Sequence, residues 1–258
     1  MGRLLHALRL RPEERVIAGD ILSVLAMVCA AVLAACIVSG CNSPEPAKPE
    51  ATAPSVAPAG PVVPKPVPAA AATVRGIPRA ALQYRAELTR NARSIWGLDA
   101  PVATMAAQIH QESGWRTDAK SPVGAQGMAQ FMPATASWIA DLVPELAACE
   151  PYNPAWAIRA LVTYDKWLWD RLDAASDCHR MAFALAAYNG GLGWVRRDAK
   201  MAAGQGLSPE AWWDHVETVN AGRSAANWRE NRGYPRRILL ALEPLYLQAG
   251  FGGGACRD

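Results

Sequence analysis

Pro101-Val102-Ala103-Thr104-Met105-Ala106-Ala107-Gln108-Ile109-His110-Gln111-Glu112-Ser113-Gly114 reads as one helix with both ends marked. Proline suits the first helical position, where no backbone N–H is needed, and Gly114 suits the residue that stops a helix. Between them Val102, Met105, Ile109 and Glu112 fall at i, i+3, i+7 and i+10, a single stripe of the cylinder. A glutamate therefore stands where an apolar residue belongs. It also stands in the last turn, where the negative end of the helix dipole disfavours an anion. Both effects favour the neutral acid, so Glu112 is expected to titrate high and to donate a proton near neutral pH. The competing reading is a glutamate that turns out to solvent where the helix frays.

Outward from this stretch the same periodicity continues. Apolar residues at i, i+3, i+4 spacing, punctuated by Gly and Pro, predict helices over about 78–96, 101–113, 132–142, 154–172, 178–189, 209–219 and 235–249. Strand-like alternation is scarce, so the fold class is mainly α. All ten tryptophans of the 258-residue chain follow residue 95, residues 21–40 carry no charge, and nine of the twenty prolines fall in 42–73. Removing the first 73 leaves 185 residues, enough for one core that buries ~70% of its chain surface. Lys and Arg number 26 against 23 Asp and Glu, with four arginines in the first fifteen positions. The folding unit is thus near charge balance, which argues against a nucleic-acid partner held by phosphate neutralisation. A hydrophobic share of 51% excludes wholesale disorder.

Further stretches stand in order around the first. After Gln111-Glu112-Ser113-Gly114 come Ser121-Pro122-Val123-Gly124-Ala125-Gln126-Gly127-Met128-Ala129-Gln130-Phe131-Met132-Pro133-Ala134-Thr135-Ala136, Ala187-Tyr188-Asn189-Gly190-Gly191 and Tyr234-Pro235-Arg236-Arg237-Ile238. Asn153-Pro154 followed by Ala157-Ile158-Arg159-Ala160 lies among them. In this order and spacing they resemble the soluble lytic transglycosylase (SLT) domain family, over about residues 80–246. The resemblance implies a goose-lysozyme-like helical domain with a glycan-binding cleft, and peptidoglycan glycan strands as the substrate. It makes the glutamate of the Glu-Ser pair, here Glu112, the single acid/base. It also implies substrate contacts at Ser113, Gln126, Gly127, Met128 and Gln130, at Tyr188 and Asn189 near the scissile bond, and at Tyr234 beside the carboxyl. This chain reads Gly-Met-Ala-Gln where many members place leucine then methionine between glycine and glutamine.

These residue types suit the chemistry. A glycosidic oxygen is a poor leaving group and must be protonated as an oxocarbenium-like centre develops. Gln126, Gln130 and Asn189 offer amide donors and acceptors to hydroxyl and N-acetyl groups without adding charge. Hydrolysis normally needs a second carboxylate, and none stands in a paired position; Asp118 is the nearest in sequence. The resemblance supplies the substrate's own muramyl C6 hydroxyl as nucleophile instead. A muramidase using water on the same fold, and a non-catalytic wall-binding adaptor of an envelope-spanning system, are the alternatives. Trp115, Trp138 and Trp156 are expected in the core rather than as sugar platforms.

Other chemistries lack their motifs. His110-x-Glu112 is not followed by Pro-Cys-x-x-Cys, and there is no His-Glu-x-x-His, Cys-x-x-Cys, Gly-x-Ser-x-Gly or phosphate-cradling glycine loop. Neither metal nor cofactor is expected. Arg223, Arg229, Arg232, Arg236 and Arg237 either hold stem-peptide carboxylates or another anion, or form a solvated helical face. No protein partner is legible.

The N-terminus reads as an address. Arg3, Arg9, Arg11 and Arg15 precede the uncharged run 21–40, a layout that directs a chain to the membrane. Leu33-Ala34-Ala35-Cys36 and Val38-Ser39-Gly40-Cys41 resemble the bacterial lipobox, and Cys41, followed at once by the polar Asn42-Ser43-Pro44, is the preferred lipidation site. Residues 1–41 are thus a lipoprotein signal or a membrane anchor. The resemblance implies a periplasmic protein, and Asn42 favours the outer membrane. Residues 42–74 form a disordered Pro/Ala-rich linker whose ~30 residues reach ~100 Å if extended. Residues 75–250 form the catalytic domain, and 251–258 a flexible tail. Cys149, Cys178 and Cys256 face an oxidising compartment with their pairing open.

Overall fold

Three of the helices begin at a side chain that caps the backbone, and three end at a glycine with positive φ whose N–H returns to the last turn. The computed structural model describes residues 76–256, and these contain α1 (Arg79–Trp96), α2 (Val102–Ser113), α3 (Pro133–Leu142), α4 (Pro154–Trp169), α5 (Asp177–Gly190), α6 (Leu192–Gly204), α7 (Ala225–Arg236) and α8 (Glu243–Gln248). A π-helical turn, Arg237–Leu242, joins α7 to α8. Asn153, Ser176 and Ser224 cap α4, α5 and α7 by accepting from the backbone N–H groups of Ala155, His179 and Asn227. Gly114 closes α2 at φ +62°, its N–H returning to the His110 carbonyl at 2.9 Å.

Helix α2 is the centre of the fold. Every residue from Val102 to Ile109 is buried, which a helix tolerates only when packed on all sides. It lies against α1, α8 and the π-helical turn, while α4 packs on α1 and α5, and α5 on α6 and α7. The mainly α architecture expected from periodicity is what the described residues show. Among them no helix is long and apolar enough to cross a membrane. The expected address, Cys36, Cys41 and the linker lie outside the described residues.

Several expectations are corrected. Residues 209–219 are turns with one 3-10 segment, Val216–Thr218. Side chains take N–H groups that a helix would have used, His179 Nδ1 accepting from Trp212 and Glu217 from Asp214, while His215 Nδ1 accepts from Ser208 just before them. The last helical region starts at Ala225, ten residues before the predicted 235, and Pro235 sits inside it. Proline removes one i→i−4 hydrogen bond there, and the chain continues as the wider π turn instead of ending. Helix α6 was not anticipated because Gly190-Gly191 reads as a stop, yet the chain restarts a helix directly after Gly191.

The expected flexible tail is packed through residue 256. Phe251 is 2% exposed and meets the Tyr246 ring edge-on at 5.0 Å. Gly253 accepts from the Ala103 N–H at 2.9 Å, Ala255 donates to Thr104 Oγ1 at 3.0 Å, and Cys256 is disulfide-bonded to Cys178. The segment thereby closes over the start of α2. Trp115 and Trp156 are core as expected, but Trp138 is 39% exposed. The arginine run divides: Arg229, Arg236 and Arg237 are exposed, as a solvated face requires, and the other two are taken into the fold. Arg223 and Arg232 are buried on Asp198, and Arg236 pairs with Glu217.

Candidate active site

Glu112 lines an open cleft of about 270 Å³. Gln130, Met132, Tyr164, Tyr188, Asn189 and Glu230 line the rest. A larger hollow of about 350 Å³ lies beside Trp96, Trp169 and Cys178, but its carboxylates, Asp99 and Asp177, are exposed. The smaller cleft holds Glu112, whose pKa burial raises.

Glu112 is half-buried, and Tyr234, buried on α7, donates its hydroxyl to Glu112 Oε1. Burial pushes the Glu112 pKa up to about 8; the Tyr234 hydrogen bond opposes this, and the charges of Asp165 and Glu230 add to it. A neutral carboxyl that accepts at Oε1 carries its proton on Oε2. Asp165 on α4 is 1% exposed and accepts from Gln108 Nε2 at 3.2 Å. Burial also lifts its pKa to about 8, against the Gln108 hydrogen bond. Gln108 and Glu112 are four residues apart on α2 and share a face. Asp165 is thereby held one turn from the acid.

The loop after α2 is fixed by its backbone. Gln126 and Phe131 exchange N–H···O bonds of 2.9 and 3.1 Å, forming a tight hairpin. Gly127 has φ +71°, and a Cβ there would stand 1.7 Å from the Pro151 carbonyl oxygen, so no other residue fits. Gln130, at φ +50°, donates its Nε2 to the Ala119 and Gly127 carbonyls at 3.2 and 2.8 Å. Its amide is locked at the cleft wall.

Tyr188 and Asn189 arrive from the end of α5. Tyr188 donates its hydroxyl to the Ala129 carbonyl at 2.8 Å, tying α5 to the loop. Asn189 donates to Glu230 Oε1 at 3.4 Å and accepts at Oδ1 from Asn231 Nδ2 at 3.1 Å. Asn231 is itself held by Arg232, which donates to its Oδ1 at 2.6 Å and to the buried Asp198 at 2.7 Å. A Cβ at Gly190 would stand 2.6 Å from Asn231 Nδ2. Glycine at 190 is what lets α7 come close enough to orient Asn189.

The structure brings Glu112, Gln130, Tyr188, Asn189 and Tyr234 to one site, with Gly127 shaping its wall. It does not bring Ser113, Met128 or Gln126 into the cleft. Ser113 is buried and donates to the Met128 carbonyl at 2.8 Å, and the Met128 side chain is fully buried, so the pair braces the end of α2. The Gln126 Oε1 is buried without a hydrogen-bond partner among the described residues. Met132 and Ser121 line the cleft instead. Sequence reasoning missed Tyr164, Asp165 and Glu230. Glu230 lies one helical turn before Tyr234, a signal that exists only once α7 is known to start at Ala225.

Residues 89–208 match the family model described as the transglycosylase SLT domain. The match ends short of Glu230 and Tyr234. The chain is 33% identical over 168 residues to the membrane-bound lytic murein transglycosylase F of Shewanella pealeana, covering 64% of this chain and 32% of that protein. It is 33% identical over 134 residues to the protein of the same name from Shewanella frigidimarina, covering 51% of this chain and 27% of the other. It thus spans about a third of the length of these curated relatives. The 70 kDa soluble lytic transglycosylase of Escherichia coli aligns with a TM-score of 0.47 and 24% identity, over 67% of this chain and 25% of that one.

Proposed function

We propose that the chain, whose residues 89–208 match the transglycosylase SLT domain model, is a peptidoglycan lytic transglycosylase. It cleaves the β-1,4 bond between MurNAc and GlcNAc and leaves a 1,6-anhydro-MurNAc end. The observation that carries this reading is Glu112 at the cleft, held neutral by burial and fixed at Oε1 by the Tyr234 hydroxyl.

Glu112 gives its proton to the glycosidic oxygen as the bond from that oxygen to muramyl C1 breaks, releasing the GlcNAc hydroxyl. The Tyr234 hydrogen bond strengthens as Glu112 becomes an anion, so it favours the transition state over the resting acid. The carboxylate then takes the proton of the muramyl C6 hydroxyl while O6 bonds to C1, and Glu112 returns to its starting form. No water is consumed, and the nucleophile is already attached to the substrate. Asn189, oriented through Asn231, and Gln130 present fixed amides to the sugar hydroxyl and N-acetyl groups. Asp165 is too deeply buried to activate a water, and it acts on the charge of Glu112.

Digestion of purified sacculi, read by mass spectrometry, tests the assignment. Wild type is expected to release anhydro ends without new reducing ends, and Glu112→Gln to release neither while still binding sacculi. New reducing MurNAc ends would overturn it in favour of a water-using muramidase, with Glu230 the candidate base because it lines the same cleft. The curated relatives are named membrane-bound. Together with the reading of residues 1–41 as an address and 42–74 as a spacer, this supports a periplasmic enzyme tethered to the membrane, the outer membrane being favoured by Asn42 after Cys41.

A further inference from the structure

Ten tryptophans lie in the described residues, and one of them is unlike the rest. Six carry a lysine or arginine over the ring. Three others, Trp115, Trp156 and Trp228, donate the indole N–H to a protein oxygen. Trp138 has neither a cation over its ring nor a partner for its N–H among the described residues, and it is 39% exposed. It is held all the same. It forms T-shaped pairs with Tyr164 at 5.9 Å and Trp167 at 5.0 Å, with interplanar angles of 73° and 80°. Such edge-to-face contacts fix a ring without stacking on it.

The position of Trp138 follows from α3. Met132, which caps that helix, and Thr135 both line the cleft of Glu112. Trp138 is one turn beyond Thr135, at i+3, and so is the next residue on the same face. Tyr164 lines the cleft and touches Trp138, which makes the aromatic surface continuous with the site. The cleft itself, about 270 Å³, is below the ~300–1,000 Å³ that encloses a drug-sized ligand. A polymeric strand seated at Glu112 must run out of it over neighbouring surface.

We propose that Trp138, braced by Tyr164 and Trp167, is a sugar-stacking subsite that holds the glycan strand beyond the catalytic cleft. This rests on the peptidoglycan reading above and assigns the strand its path along α3. A pyranose ring presents a flat C–H face that matches an indole left 39% exposed and without a cation over it, and its hydroxyl or N-acetyl oxygen can accept the indole N–H. Arg171 already lies over Trp167 at 3.8 Å, so Trp167 serves as support and not as platform.

The test uses glycan strands stripped of their peptides by an amidase. In the Glu112→Gln background, where strands are not cut, Trp138→Ala is expected to weaken binding about tenfold, equivalent to about 1.4 kcal/mol. Trp138→Phe recovers most of the loss, and thermal unfolding is unchanged. With Glu112 intact, Trp138→Ala raises KM on long strands at constant kcat and leaves the shortest cleaved oligosaccharide unaffected. The proposal is overturned by unchanged affinity for stripped strands, by equal losses on short and long substrates, by a loss seen only with peptide-bearing strands, or by a parallel fall in melting temperature. Failure of the wild type to produce anhydro ends overturns the transglycosylase reading instead, and the binding comparison, made without turnover, keeps the two apart.

Discussion

Glu112 and Asp165 are two carboxyls on facing helices, each pushed up to about 8, with burial as the leading cause. Because the folded-state pKa lies above the unfolded one, the stabilisation is fully present below about pH 4 and is lost as pH rises towards 8. Asp165→Asn should therefore raise the melting temperature at pH 8 by at least ~3 °C and much less at pH 4, read by scanning calorimetry. The same change removes a negative charge near Glu112, so the alkaline limb of kcat/KM, expected near 8 in the wild type, shifts to lower pH. An unshifted limb would show that Asp165 acts on packing alone. Asn189 and Asn231 form the second pair. If Asn231 works by orienting Asn189, kcat/KM in a double-mutant cycle of the two alanine variants departs from additivity by ~0.5–3 kcal/mol. Of these residues Glu112 and Asn189 were legible in sequence. Asp165 was not, because a lone aspartate within an apolar helix becomes an acid's neighbour only when α4 docks beside α2.

At the scale of elements, caps and stops were the most legible features. Pro101 and Gly114 bound α2 within a residue, and Asn153-Pro154 opens α4. The errors fall where side chains from elsewhere take over the backbone. His179 reaches from α5 to the Trp212 N–H and helps keep 209–219 from coiling. Gly127 shows the opposite case, where one residue type is dictated by another segment's backbone. Gly127→Ala places a methyl group against the Pro151 carbonyl at a positive φ and should cost at least ~3 kcal/mol in urea unfolding, with loss of activity as the hairpin carrying Gln130 shifts. A cost below ~1 kcal/mol would mean that the Pro151 segment yields freely.

Across the whole molecule, the segment 251–256 closes the fold by strapping α5 to the front of α2 through the Cys178–Cys256 disulfide. The two cysteines are 78 residues apart, and a loop of that size gives about 4.5 kcal/mol in the chain-entropy account. Replacing both with serine should lower the unfolding free energy by ~2–4 kcal/mol, measured by denaturant titration, and leave the pH profile of the remaining activity in place. No loss of stability would show that the buried Phe251 and the hydrogen bonds to Thr104 hold the strap unaided. The sequence by itself determined the helical class and the bounds of α2, since periodicity and capping chemistry are local properties, and it set Glu112 on the apolar stripe of that helix, the position that its motif and the family resemblance single out. Only the tertiary structure decided that Glu230 lines the cleft of Glu112, that Ser113 and Met128 turn inward while Met132 turns to the cleft, and that Cys178 pairs with Cys256. Those depend on which helices lie side by side, and contact between residues distant in the chain is set by packing of whole faces, which no short stretch encodes.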